Sequence, residues 1–182
     1  MDTTTPPLQL TGERADLVDT LRKHRDLLLV TVRGIGDDDA RRRTTVSELT
    51  LGGLVKHVAT TEAQWADFIA EGPGEGIDFS SIDWSDPPPA VVAFMDSHRM
   101  GEDETLAGLV ERYAEVADAT DRLVATLPDL DLAWPLPQAP WFEPGATWTA
   151  RRTVLHIIAE TAQHAGHADI IREALDGQKT MG

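Results

Sequence analysis

The sequence predicts a single all-α domain, a four-helix bundle with long inter-helix loops, and three observations predict it. Four segments of about 20 residues carry apolar side chains at helical spacing. The stretches between them are rich in Pro and Gly, and none shows a strong run of strand alternation. The chain has 182 residues, enough for one well-packed core and short for two, so one domain is expected over residues 1-182.

The first helix is expected from about Thr11 to Gly34, with Leu17, Leu21, Leu28 and Val32 on one side. Thr11 can cap its start, and Gly34 and Gly36 can end it. The charged run Asp37 to Arg43 reads as a loop or short turn. The second helix is expected over Thr50 to Glu71, stopped by Gly72-Pro73-Gly74. Gly52 and Gly53 near its start permit close approach of another backbone, or simply loosen the first turn. An extended connection follows from Gly72 to Pro89, then a short helix over Ala90 to His98. The third long helix runs from about Glu104 to Leu127, with Leu106, Leu109, Val110, Tyr113, Val116 and Leu123 as its apolar stripe. Pro128, Pro135, Pro137, Pro140 and Pro144 punctuate a loop that carries Trp134, Trp141 and Phe142. The last helix starts near Thr147 or Thr149 and runs to Leu175, where Asp176-Gly177 stops it.

Composition narrows the function. Apolar residues make up 41% and charged residues 26%, the balance of a soluble globular protein. No apolar run approaches the roughly 20 residues of a membrane span, and Met1 to Leu10 lacks the basic start and apolar stretch of a signal peptide, so a cytoplasmic location is expected. A net charge of −15 argues against nucleic acid and against anionic membrane surfaces as partners. There are no cysteines. That excludes disulfides, thiolate metal sites and a Cys nucleophile, and any thiol chemistry would need the thiol to arrive as a cosubstrate.

The segment richest in chemistry is His156-Ile-Ile-Ala-Glu160-Thr-Ala-Gln-His164-Ala-Gly-His167. At 100° per residue the three histidines and Glu160 fall within an arc of about 80° on one helix face. Glu160 and His164, four apart, can reach one point. Imidazole with carboxylate suits zinc, nickel, iron or manganese better than calcium. On the second helix His57 shares a face with Leu54, Thr61, Trp65 and Phe68, so it is expected to point inward. An inward His facing an inward Glu-x-x-x-His is how bundles build metal sites. The same residues also fit a hydrogen-bonded core histidine beside a chance Glu-x-x-x-His. His156 is a candidate orienting partner for the ligands, His167 is a candidate alternative ligand, and His24 and His98 read as surface residues. Glu62, just over one turn beyond His57, is a candidate for acid–base catalysis, and Arg152, with Arg151, for meeting an anionic substrate group.

At these residues the chain resembles a known family. The run from Arg152 to Glu173, RTVLHIIAETAQHAGHADIIRE, resembles the last helix of the DUF664 family. The run TLGGLVKHV from Thr50 to Val58, with Glu62 and Trp65 following, resembles that family's second helix. The family belongs to the DinB-like superfamily, which includes YfiT-type metalloenzymes and mycothiol-dependent maleylpyruvate isomerase. The resemblance implies a DinB-like four-helix bundle and one divalent metal, zinc or nickel, held by a His from helix two and a His-x-x-x-His pair from helix four. His57 matches the first of these and His164 the last. Glu160 stands at the remaining position, as in the isomerase branch, with His167 one turn away as its possible replacement. The implied function is a metal-dependent transferase, isomerase or hydrolase acting on a small molecule, with a low-molecular-weight thiol as cosubstrate and a homodimer as the expected assembly. Two other classes fit the sequence: a binder of small apolar ligands lined by Trp65, Trp84, Trp134, Trp141 and Trp148, and a structural or regulatory dimer that keeps the fold.

Overall fold

A computed structural model describes residues 10–74, 82–137, 139 and 141–180. Residues 75–81 of the expected extended connection, and Pro140 of the later loop, lie outside the described residues. Four long helices form the body: α1 (Glu13–Val30), α3 (Leu51–Glu71), α5 (Leu106–Thr126) and α6 (Ala150–Asp176). Two short helices, α2 (Asp37–Arg41) and α4 (Pro89–Asp96), sit in the connections. The all-α reading holds, with one small addition. Strands β1 (Ala133–Pro135) and β2 (Thr147–Thr149) pair antiparallel, with Trp134 opposite Trp148. Three residues per strand are too few to display alternation in the sequence.

Capping chemistry sets three of the helix starts. Thr50, Thr105 and Thr149 each adopt extended backbone, and their side chains accept from the N–H of Gly53, Gly108 and Arg152 respectively. Each satisfies one of the four donors a helix leaves open. At α1 the cap is Gly12, with φ 61 and no side-chain bond, rather than Thr11. The last helix ends at Gly177 in the left-handed region, where an L side chain would be strained.

Two apolar clusters fill the bundle, and they fix the helix directions. One takes Leu17 and Leu21 of α1, Ile69 of α3, Val124 of α5, and Val154 and Ile157 of α6. The other takes Leu28 of α1, Leu51 and Leu54 of α3, Leu109 of α5, and Ala168 and Ile171 of α6. Helices α1 and α6 therefore run from the first cluster to the second, and α3 and α5 run the opposite way. Parallel neighbours cannot be joined by a tight turn. The chain must travel back along a helix of about 30 Å between α3 and α5, which accounts for that long connection. Among the described residues no helix is long and apolar enough to cross a membrane.

Between the clusters lies a polar layer. Arg25 of α1 donates to both oxygens of Glu62 on α3, at 3.1 and 2.5 Å, and to Asp121 of α5 at 2.8 Å. These side chains are almost fully buried, with Glu62 1% and Arg25 4% exposed. Arg22 adds a second cation to Asp121. Burial disfavours the Arg25 charge, but its two carboxylates outweigh that and hold its pKa above the ordinary arginine value.

Candidate metal centre

Helix α3 presents His57 and helix α6 presents Glu160 and His164, and the two helices pack directly together. Each of the three offers a ligand atom, and these atoms all lie within 4.8 Å of one another. Three atoms so spaced share a point no more than about 2.8 Å from each, less than 1 Å beyond ordinary zinc–nitrogen distances. Nε2 of His164 stands 3.6 Å from a Glu160 carboxylate oxygen. All three side chains are half-buried, so the cluster is neither sealed in the core nor fully open to solvent.

The electrostatics suit a cation. Burial first, then the imidazoles of His98 and His164, push the His57 pKa down to about 4. Burial also lowers His164, against the opposing pull of Glu160. Both rings are therefore neutral at pH 7 and carry the free lone pair that a metal ligand needs. Nδ1 of His57 is buried without a hydrogen-bond partner. An orphaned ring nitrogen beside a carboxylate and a second imidazole is what a site built for a metal would leave in the protein alone.

The other predicted residues fall into place around this trio. His167 lies on the far side of His164, its Nδ1 3.5 Å from the Nδ1 of His164, and is not in the group whose ligand atoms converge. His156 has its Nε2 3.8 Å from Glu160, too long for the expected orienting hydrogen bond. It packs edge-on against Trp65 and Trp148 instead, with ring centroids 5.0 and 4.9 Å away. Glu62, put forward for acid–base work, is five residues beyond His57 and so turned from it by about 140° around the helix. Both its oxygens accept from Arg25, as described above.

His98 is exposed, as expected of a surface residue, but it has company that the sequence did not show. Its ring lies over that of His57, with centroids 3.7 Å apart and planes 21° from parallel, while His164 meets His57 edge-on at 4.8 Å. The sequence held one cue: the pair Gly52-Gly53 permits a close approach, and what approaches is the His98 backbone at Gly53 and the Met100 side chain at Gly52. A Cβ on Gly53 would stand 2.2 Å from the carbonyl oxygen of His98, and one on Gly52 would stand 2.4 Å from the Met100 sulfur.

The tryptophans do not share one cavity. Trp65 and Trp148 stack at 5.1 Å, with Phe142 edge-on to both, and this aromatic wall continues the site along α3 and α6. Trp134 instead covers Gly72 and donates to the carbonyl of Ile69. Trp84 and Trp141 are about 60% exposed (59% and 61%). Of the two arginines, Arg151 is paired with Glu13 and Asp131. Arg152 lies over the Trp148 ring, 4.8 Å from its centroid, one turn before His156 on the site's face of α6.

Comparison with known proteins bears on the fold and the family. A crystal structure of a conserved protein from Enterococcus faecalis superposes with a TM-score of 0.66, covering 93% of this chain and 100% of that one at 13% sequence identity, a likeness of fold. No curated protein sequence matches the chain. The model of the mycothiol-S-transferases matches residues 16–177, from the first turn of α1 through the end of α6, and on that match the chain belongs to the mycothiol-S-transferase family, within the DinB-like group.

Proposed function

We propose that this protein is a metal-dependent S-transferase that uses mycothiol, or a thiol close to it, as cosubstrate and joins its sulfur to a small electrophile. The observation that carries the reading is the convergence of His57, Glu160 and His164 in a chain of this family that has no cysteine of its own. Two imidazoles and one carboxylate fit zinc or nickel, whereas calcium favours oxygen ligands throughout. Three protein ligands leave coordination positions free, as catalytic sites do. A divalent cation bound there supplies Lewis acidity, lowering the pKa of a thiol or water held beside it.

The surrounding residues have separate tasks in this reading. Trp65, Trp148 and Phe142 form an apolar wall that screens one side of the site from water and offers flat faces to a substrate. Arg152, at the outer end of that wall, offers a cation to an anionic group on the electrophile. Glu62 belongs to the fold rather than to the chemistry, because its oxygens are committed to Arg25.

The test is metal analysis of untagged protein purified without added metal, beside His57→Ala and His164→Ala, followed by a mycothiol conjugation assay with a chromogenic electrophile. About one equivalent of zinc or nickel in the parent, lost in both variants together with thiol transfer, is the expected result. A parent that takes up no metal even after reloading, or that transfers thiol equally well without it, overturns the proposal.

A further inference from the structure

A metal-ligating histidine is ordinarily held in orientation by a hydrogen bond from its second ring nitrogen to a carboxylate, carbonyl or water. Among the described residues neither ring nitrogen of His57 makes a hydrogen bond, and its buried Nδ1 has no partner at all, so that device is missing whichever nitrogen faces the metal. The torsion that turns an imidazole about its Cβ–Cγ bond is soft and broad, so some other contact must fix the ring plane. Two ring contacts can do so. His98 lies nearly parallel to His57 at 3.7 Å, and His164 stands edge-on at 4.8 Å. Turning the His57 ring would drive its edge into the face of His98.

The segment that delivers His98 is itself clamped to α3. The His98 carbonyl occupies the space where a Gly53 side chain would begin. The sulfur of Met100, 4% exposed, does the same at Gly52. Lys56 donates to the carbonyl of Arg99 at 3.1 Å. Ser97 Oγ lies 3.3 Å from Nδ1 of the His98 ring. Backbone and ring are thus both held, although much of the His98 side chain faces solvent. A largely exposed residue anchored this closely to a neighbouring helix has little to do for the core.

We infer that His98 is a positioning residue of the metal centre: its ring, seated by the Gly52-Gly53 contact, sets the plane of the His57 imidazole and so aims its lone pair at the point shared with Glu160 and His164. What matters is a flat ring at this place, not a nitrogen. The inference rests on the proposed metal-binding function, and it concerns only the stacking side of the site.

The experiment loads the parent, His98→Ala and His98→Phe with Co(II) and with zinc. Zinc affinity is measured by competition with a chromogenic chelator, and the Co(II) ligand-field bands are recorded for each protein. His98→Ala is expected to lose about 10–100-fold in affinity, the usual cost of removing an orienting partner, and to show shifted Co(II) bands. His98→Phe, which keeps the flat ring, is expected to restore affinity to within a few-fold and the bands to their parental positions. Thermal unfolding of the metal-free proteins should differ little, because an exposed side chain is being changed. Gly53→Ala, which pushes the 98–100 backbone away, is expected to resemble His98→Ala in its metal properties. A parent that binds no metal would defeat the proposed function itself. A parent that binds metal while His98→Ala matches it in affinity and spectrum would overturn this inference alone. A His98→Phe as impaired as His98→Ala would also overturn it, by showing that the nitrogen rather than the ring face is needed.

Discussion

Replacing Glu62 separates a structural carboxylate from a catalytic one. Its partner Arg25 is 4% exposed and Glu62 1%, so neither charge can recover hydration if the other is removed. Deleting one member of a buried ion pair costs about 3–5 kcal/mol, because the remaining charge is stranded. Here Arg25 keeps a second carboxylate, Asp121, at 2.8 Å, so Glu62→Ala belongs at the lower end, about 3 kcal/mol. Glu62→Gln keeps one acceptor but loses the charge, and about 2 kcal/mol is expected from the lost charged hydrogen bond. Against a typical total of 5–15 kcal/mol, both variants still fold. The assay is urea unfolding of the metal-free protein, followed by far-ultraviolet circular dichroism, with Glu62→Leu, Arg25→Met and their double variant forming a cycle. The double variant should be more stable than the sum of the two single losses predicts, since apolar side chains can replace a buried pair at little cost, while Asp121 loses Arg25 and keeps, among the described residues, only Arg22. Metal content and kcat per folded molecule should stay close to parental. An unfolding free energy unchanged in Glu62→Ala, with thiol transfer abolished, would refute the structural assignment and return Glu62 to the chemistry.

Two further predictions concern the edges of the site. Arg152→Ala should raise KM for a carboxylate-bearing electrophile about tenfold or more, the cost of one charge-assisted contact, and leave a neutral electrophile of the same shape unaffected; equal effects on both would remove Arg152 from substrate recognition. The second is a pH dependence at the turn that carries His98 into α5. Burial works against the Glu104 carboxylate, but the Gly101 N–H at 2.6 Å, Lys56 at 2.9 Å and the charge of Arg41 together hold its pKa below the usual 4.5. A folded pKa below the unfolded one means that the contribution to stability is fully present above about pH 4.5 and is lost as pH falls through the lowered value. Glu104→Gln should therefore be less stable than the parent at neutral pH, with the difference shrinking through the acid range. A constant difference from pH 7 to pH 3 in denaturant titrations would contradict this.

Most of the bundle was legible because its signals are local. The helix starts at Thr50 and near Thr149, the Gly177 stop and the stripe His156, Glu160, His164 each declare themselves within a turn or two of helix, and each sits where its spacing puts it. His57 was legible for the same reason, being inward on an amphipathic helix. Glu62 shows where such reading runs out. Its partner Arg25 lies 37 residues earlier, and a buried Arg on α1 looks, in sequence, like any polar residue between Leu21 and Leu28. Trp134 and Trp148 pair across a ladder of three residues, too short to write a period of two into the chain.

His98 is the instructive case, because the cue for it was present but ambiguous. Two adjacent glycines at a helix start fit either a loose first turn or a close backbone approach. Only the up-down-down-up order of the long helices decides between them. With α3 and α5 parallel, the chain must come back along the bundle after α3 and re-enter beside the start of that same helix, where Gly52 and Gly53 lie. The return path therefore delivers residues 98–100 onto the glycine pair and lays the His98 ring over His57, one turn further along. The end of the long crossover thus borders the candidate site. This topology also explains why a candidate ligand pair on α6 and a lone His on α3 meet under a third segment that neither helix encodes.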